Sequence, residues 1–276
     1  MRKVFILLFI YTLIFSKKLI AQSELASFIA YYDFSLKDSL GKTSVETFML
    51  CVSKRGSVFK SMEKYMLDSS VGTKTFVQRD GSKITVSDYN PLLRNFTTSE
   101  IFSNLKEKVY VTTDDLMMKK YFIEDAVEQI NWEIKADTST IFGFKCQKAI
   151  GLCKGRVYKC WFSSSIPQQE GPWKLKGLPG LIMYASDEKN EITFSLTGLQ
   201  SGNSIPVERG SFIIPQGYVK TSKIEFLQAY KAMKENPLAF IEAQTNLKVQ
   251  IQGRENSELN IKKVEIPKLY RIELAN

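Results

Sequence analysis

Histidine is absent from all 276 residues. That removes the Ser-His-Asp and Cys-His nucleophilic systems and every imidazole-ligated zinc site. Cysteine is scarce: Cys51, Cys146, Cys153 and Cys160, none at CxxC spacing. There is no glycine-rich phosphate loop and no helical metalloprotease motif. No loop shows the Asp/Asn alternation closed by Glu of a dedicated Ca²⁺ site. The reading is therefore of a chain with no metal, no cofactor and no catalytic residue that the sequence nominates. Lys and Arg occur in no block, so nucleic acid is not an expected partner. Two chemistries stay open, a carboxylate pair and a Ser-Lys pair, although nothing singles out their members.

One long apolar run is present, and it comes first. Arg2 and Lys3 precede Val4–Phe15, which only Thr12 breaks, and Ala21 is small enough to precede a cut. The run is shorter than the ~20 residues that span a bilayer. It reads as a secretory signal peptide over residues 1–21. Cleavage removes four basic side chains, so the 38 fall to 34 against 29 acidic, and net charge falls from +9 to +5. No later segment is long and apolar enough for a membrane span, so the expected mature chain, 22–276, is a soluble single domain exported from the cytoplasm. An oxidising compartment permits a disulfide, with buried free thiols as the alternative.

The body of the chain alternates as strands do. Phe28–Leu36 and Thr43–Ser53 read as strands, and Val58–Leu67 as a third after the turn at residues 54–57. Asp80-Gly81 marks a turn between residues 75–78 and 84–86. Val109–Thr112, Lys120–Ile123 and Trp132–Lys135 are shorter candidates, and Asp137–Ser139 reads as a loop. Residues 142–152 and 157–163 flank Lys154-Gly155; if those two form the turn, paired residue numbers sum to 309. Cys153 and Cys160 then share a face roughly 13 Å apart, beyond disulfide reach, with Cys146 on the other face. By exclusion, a single disulfide would join Cys51 to Cys146. Residues 181–185 and 191–199 form another pair. At Ser222 the period changes: Ile224, Leu227 and Tyr230 recur at helical spacing, and Ser222 with Glu225 forms a capping box. Asn236-Pro237 ends that helix, 238–247 suits a second, and 261–274 returns to strand character. The expected fold is α+β, mainly antiparallel β. It is a curved multi-stranded sheet, half-barrel or barrel-like, with one or two helices near residues 222–247.

The most distinctive stretch is Gly171-Pro172-Trp173, followed by Gly177-Leu178-Pro179-Gly180-Leu181-Ile182. Cys146-Gln147-Lys148-Ala149, Trp161-Phe162 and Ile166-Pro167 lie upstream of it. In these features the chain resembles the GLPGLI family of exported bacterial proteins. Cys153 and Cys160 depart from that pattern. The resemblance implies export and kinship, and carries no established activity with it.

Physically, Leu178–Leu181 suits a type II turn, with Pro179 fixing φ and Gly180 accepting a positive one. Gly177 reads as a point of close backbone approach, and Trp132, Trp161 and Trp173 as core anchors. The segment is expected to be either a rigid packed turn or a loop at a binding mouth. Arg156, Lys174 and Lys176 beside it read as a solvated face. The functional expectation is an exported, non-enzymatic binding or accessory protein of a Gram-negative envelope, periplasmic, surface-attached or secreted. Its partner would be an apolar small ligand or an envelope protein; the alternative is a carboxylate- or Ser-Lys-dependent hydrolase.

Overall fold

The computed structural model describes residues 24–38, 40–69, 75–77, 83–85, 97–104, 108–116, 119–201, 206–207, 217–245 and 269. The expected signal segment 1–21, the expected turn at Asp80-Gly81 and nearly all of the expected strand 261–274 lie outside them. Within them, one open sheet dominates. Its strands are β2 (Phe28–Lys37), β3 (Thr43–Val52), β4 (Gly56–Ser61), β7 (Glu100–Asn104), β8 (Val109–Leu116), β9 (Lys119–Ala126), β10 (Glu133–Ile141), β11 (Phe144–Cys153), β12 (Arg156–Ser163), β13 (Leu181–Asp187), β14 (Ile192–Ser201) and β16 (Tyr218–Thr221). They lie in the order β10-β11-β12-β13-β14-β2-β3-β4-β7-β8-β9-β16. Every pairing in it is antiparallel except β16 with β9. Two small pairs stand apart: β1 (Glu24–Leu25) with β15 (Pro206–Val207), and β5 (Thr75–Val77) with β6 (Lys83–Thr85).

Alternation decides which face each side chain takes. On the inner face, Phe34 stacks on Phe194 and Phe48 on Phe59, with centroids 5.0 and 4.8 Å apart. Ala30, Tyr32, Leu50 and Val52 complete that stretch of core. Leu269 is buried in the same cluster, so a residue near the C-terminus packs there. On the outer face, Ile29, Met49, Cys51, Val58, Phe102, Val111 and Phe122 form a second cluster, which Met62 and Tyr65 partly cover.

The β11–β12 hairpin has the expected register. Gln147 faces Phe162, Ala149 faces Cys160 and Cys153 faces Arg156. Lys154 and Gly155 both take positive φ, 47° and 78°, the two left-handed residues of a type I′ turn. Phe142 and Gly143 repeat the device between β10 and β11, so β11 starts at Phe144 and not at Phe142.

Three readings of the chain are corrected. Val58–Leu67 is not one strand: β4 ends at Ser61, and helix α1 (Met62–Ser69) follows. Ser61 Oγ accepts from the Lys64 amide and donates to Glu63 Oε2, a side-chain cap ahead of good helix formers. Asp137–Ser139 is not a loop, because β10 runs through it with a register shift between Ile134 and Thr138. Nor do Cys51 and Cys146 pair. They sit on β3 and β11, five strand spacings or about 24 Å apart along the sheet. All four cysteines are buried, and none is joined in a disulfide. Burial pushes Cys51 up to about 11 and raises Cys146 and Cys160 as well. A thiol reagent at pH 8 should therefore label none of the four in the native protein and all four in denaturant. Fast native labelling would show that the thiols are not enclosed.

Helix α2 (Lys223–Glu235) has the predicted capping box: Ser222 Oγ accepts from the Glu225 amide, and Glu225 accepts from the Ser222 amide. Its buried stripe is Phe226, Tyr230 and Met233, packed on Leu116, Tyr121 and Ile123. Ile224, expected in that stripe, is 69 % exposed. Helix α3 (Pro237–Thr245) follows the Asn236 cap.

Candidate functional site

The segment from Gly171 to Gly180 belongs to the connection between β12 and β13, which crosses the inner face as a strap, and Leu181 and Ile182 open β13. The Gly177 amide bonds to Gln169 O, the Leu181 amide to Ile166 O and the Ile182 amide to Glu170 O. Trp173, Leu175, Leu178, Leu181 and Ile182 point into the inner core, each at most 3 % exposed. Trp173 holds φ at +57°, uncommon for a bulky residue. Its indole packs at 6.1 Å from the Tyr158 ring. Trp132 and Trp161 are partly buried against the same core.

The turn is not type II. The Gly180 amide bonds to Leu178 O at 2.8 Å, a γ-turn centred on Pro179. Gly180 is needed for space: a Cβ there would lie 2.1 Å from Ser163 O. Gly171 is similarly confined, with Leu175 O and the Ile182 side chain 2.6 and 2.8 Å from its missing Cβ. At Gly177 the requirement is conformational, since φ is +91° and the nearest atom is 3.9 Å from a Cβ. That reverses the expected reason for Gly177.

Polar groups tie the strap to strands far away in the sheet. Tyr32 Oη on β2 donates to Ile182 O, and Tyr110 Oη on β8 donates to Lys174 O. Trp132 Nε1 donates to Lys176 O at 2.8 Å. Glu170, 5 % exposed, accepts from Ser57 Oγ on β4 and lies 3.4 Å from Lys176 Nζ. Lys176 also donates to Ser103 Oγ on β7. Lys174 Nζ lies 2.9 Å from Asp125 on β9, and Lys154, from the β11–β12 turn, reaches the same carboxylate at 3.1 Å and Glu128 at 2.7 Å. Both strap lysines sit over the Tyr110 ring, at 5.7 and 5.2 Å.

Three ammonium groups thus meet three carboxylates, and two of the ammonium groups belong to the strap. Burial alone would raise the Asp125 carboxyl. Lys174 and Lys154 outweigh it and hold that carboxyl below the ordinary aspartate value. The stability this lends is present above the ordinary value and fades as pH falls through the lowered one. Lys154 is held up by Glu128 and Asp125 against the opposing effect of burial.

The sequence reading treated Arg156, Lys174 and Lys176 as a solvated face. Instead, Arg156 pairs with Asp187 at 3.0 Å and Glu191 at 3.3 Å. Lys174 has only 4 % of its side chain exposed and Lys176 14 %. Glu170, Ser57, Ser103, Tyr110 and Asp125 were not singled out. The available signal was the alternation Trp173-Lys174-Leu175-Lys176, which places lysines inside an otherwise buried stretch. Among the described residues, no group of three or more Cys, Asp or Glu side chains is placed to hold a metal ion.

The arrangement is a set of anchors. Ser103 and Lys176 do form a serine–lysine contact, but Ser103 is 3 % exposed and the ammonium is shared with a carboxylate.

No family model matches the chain, and no curated protein matches it. Solved structures share the architecture. PNGF-II in space group P21 aligns with a TM-score of 0.51 at 10 % identity, over 74 % of this chain and 32 % of that one. PNGF-II in space group C2 aligns with a TM-score of 0.50, also at 10 % identity, over 73 % and 32 %. The chain spans about a third of the length of these neighbours. Identity at this level speaks to the fold alone.

Proposed function

We propose that this chain is an exported, non-enzymatic accessory or binding protein of a Gram-negative envelope, related to the GLPGLI family, that works by contact with another envelope protein. The observation that carries the reading is the strap. The residues that resemble the family motif are consumed by packing: their apolar side chains fill the inner face, and the lysines between them, Lys174 and Lys176, are paired there. Contact therefore falls to the outer surface, and an apolar small ligand inside is the less favoured partner.

The half-barrel form belongs to the same proposal. Residues 127–132 connect β9 to β10, and a linker of that length reaches at most about 25 Å. Along the sheet the two strands are ten spacings apart, about 48 Å if flat. The Lys154–Asp125 contact joins the same two arms. Both facts favour a strongly curled sheet with the strap as its filling.

Export is tested by intact mass: the secreted form is expected to lack residues 1–21, and a mass retaining them would make the segment an anchor. Native mass spectrometry of protein taken from the periplasm tests the function. A second polypeptide, with no small-molecule adduct, is the expected companion. A stoichiometric apolar adduct would favour a ligand carrier instead. The Ser103–Lys176 contact supports the hydrolase alternative only if Ser103 reacts with a phosphonate probe, which its burial opposes.

A further inference from the structure

The β10–β11 turn places a phenyl ring where backbone conformation and exposure both count against it. Ile141 lies opposite Phe144, so Phe142 and Gly143 are the two turn residues, with φ at 51° and 79°. Such a turn favours Asn, Asp or Gly at its first position, and a bulky side chain at positive φ is an outlier. Five non-glycine residues take positive φ among the described residues. Lys108, Lys154 and Asn190 are polar, and Trp173 is buried in the inner core. Phe142 alone of the five is apolar and exposed, with 51 % of its surface in solvent. Packing within the chain leaves that half of the residue unused.

The turn is both held firmly and held out. Ile141 and Phe144, the pair at its base, are partly buried against the inner core. Behind them, β10 is exposed on both faces from Ala136 to Thr140, where a covered strand would alternate. Apart from its chain neighbours, no described atom lies within 4 Å of where a Cβ on Gly143 would be. We infer that Phe142 is the anchor of the envelope-protein contact proposed above, a preorganised aromatic knob that enters an apolar pocket on the partner. The inference rests on that reading and names the part of the surface that makes the contact. Aromatic anchors carry much of the energy of protein contacts, and a side chain already held in place loses little freedom on binding. Residues 138–147 contain one charged side chain, Lys145, exposed and directly opposite Thr140. The pocket that fits is therefore apolar with an acidic rim. One ring beside one lysine is too little for a bilayer surface, which takes a broad apolar face or a basic cluster.

Phe142→Asn separates an anchor from a structural residue, because asparagine suits this turn better than phenylalanine. Its denaturation midpoint should equal or exceed that of the wild type. Leu40→Asn is the control, since Leu40 is apolar and 91 % exposed at the β2–β3 turn. The polypeptide that accompanies the wild type in native mass spectrometry is titrated back onto both variants. It should bind Leu40→Asn as it binds the wild type, and Phe142→Asn roughly 30-fold more weakly, the loss of one strong anchor. p-Benzoylphenylalanine at position 142, and not at position 40, should cross-link to the same polypeptide. A lower midpoint or a failure to fold would make the ring structural and overturn the anchor. Equal binding by Phe142→Asn would overturn it and leave the contact reading standing, whereas a wild type with no companion ends both. Vesicles of phosphatidylethanolamine and phosphatidylglycerol should not retain the wild type. Retention that Phe142→Asn abolishes would assign the ring to lipid and overturn the pocket.

Discussion

Gly180→Val is expected to leave the protein unable to hold its native fold. The sequence alone suggests a loss of about 1–3 kcal/mol, on the argument that a β-branched residue strains at positive φ. Close approach makes the effect larger. A Cβ at this position would sit 2.1 Å from Ser163 O, 2.5 Å from the Ser163 carbonyl carbon and 2.8 Å from the Ser164 amide nitrogen. All three are backbone atoms, so no change of rotamer relieves the clash. Relief requires the end of β12 to separate from the start of β13, which also strains the Leu181–Ile166 bond that closes the strap. Overpacking commonly costs about 1–3 kcal/mol where side chains can yield. Here they cannot, and domains of this kind have only about 5–15 kcal/mol in total. Gly180→Ala should be nearly as damaging, because the clash begins at Cβ. Gly177→Ala is the control: φ is +91° but the space is open, so about 1–2 kcal/mol is expected. Chemical denaturation of the three variants compares them. Equal midpoints for Gly177→Ala and Gly180→Ala would show that conformation, and not crowding, is what Gly180 provides.

What could be read from the chain and what could not differ by the range of the interaction. The β11–β12 register followed from two adjacent residues, because a two-residue turn at Lys154-Gly155 determines every pair after it. The α2 cap followed from Ser222 and Glu225, three residues apart. Both are local. The stripe on α2 was misread because Ile224 and Phe226 both fit a helical period, and only the position of Tyr121 on β9 selects Phe226. Helix α1 was missed because the strand-like start Val58-Phe59 was carried on through Met62–Leu67, where the mixed apolar and polar residues do not by themselves distinguish strand from helix. The strap network was the least legible. Glu170 and Lys176 are close in sequence, but Ser57, Ser103 and Asp125 come from three strands of the opposite arm. The alternation Trp173-Lys174-Leu175-Lys176 was the one local sign of it, and such a pattern ordinarily marks lysines that face water. The Cys51–Cys146 pairing failed for the same reason, since exclusion among neighbours says nothing of strand order.

Lys176→Met should separate a buried anchor from a solvated lysine. Methionine keeps the length and apolar stem of lysine and removes its charge. Glu170 would then lie in the core with the Ser57 hydroxyl as its donor, and Ser103 would lose the ammonium it now accepts from. Stranding one member of a buried pair costs about 3–5 kcal/mol. Losing the cation above the Tyr110 ring adds about 0.5–2 kcal/mol. Glu170→Leu alone should be comparably harmful, because it strands Lys176. The double variant should recover much of the loss, since two apolar side chains of similar size can replace a buried pair at little cost. A coupling energy above about 2 kcal/mol is expected from the cycle of denaturation midpoints. It should be insensitive to added salt, because screening acts on exposed charges. Single variants costing under about 0.5 kcal/mol, with additive effects, would return Lys176 to the solvent and the strap to the role of a surface loop.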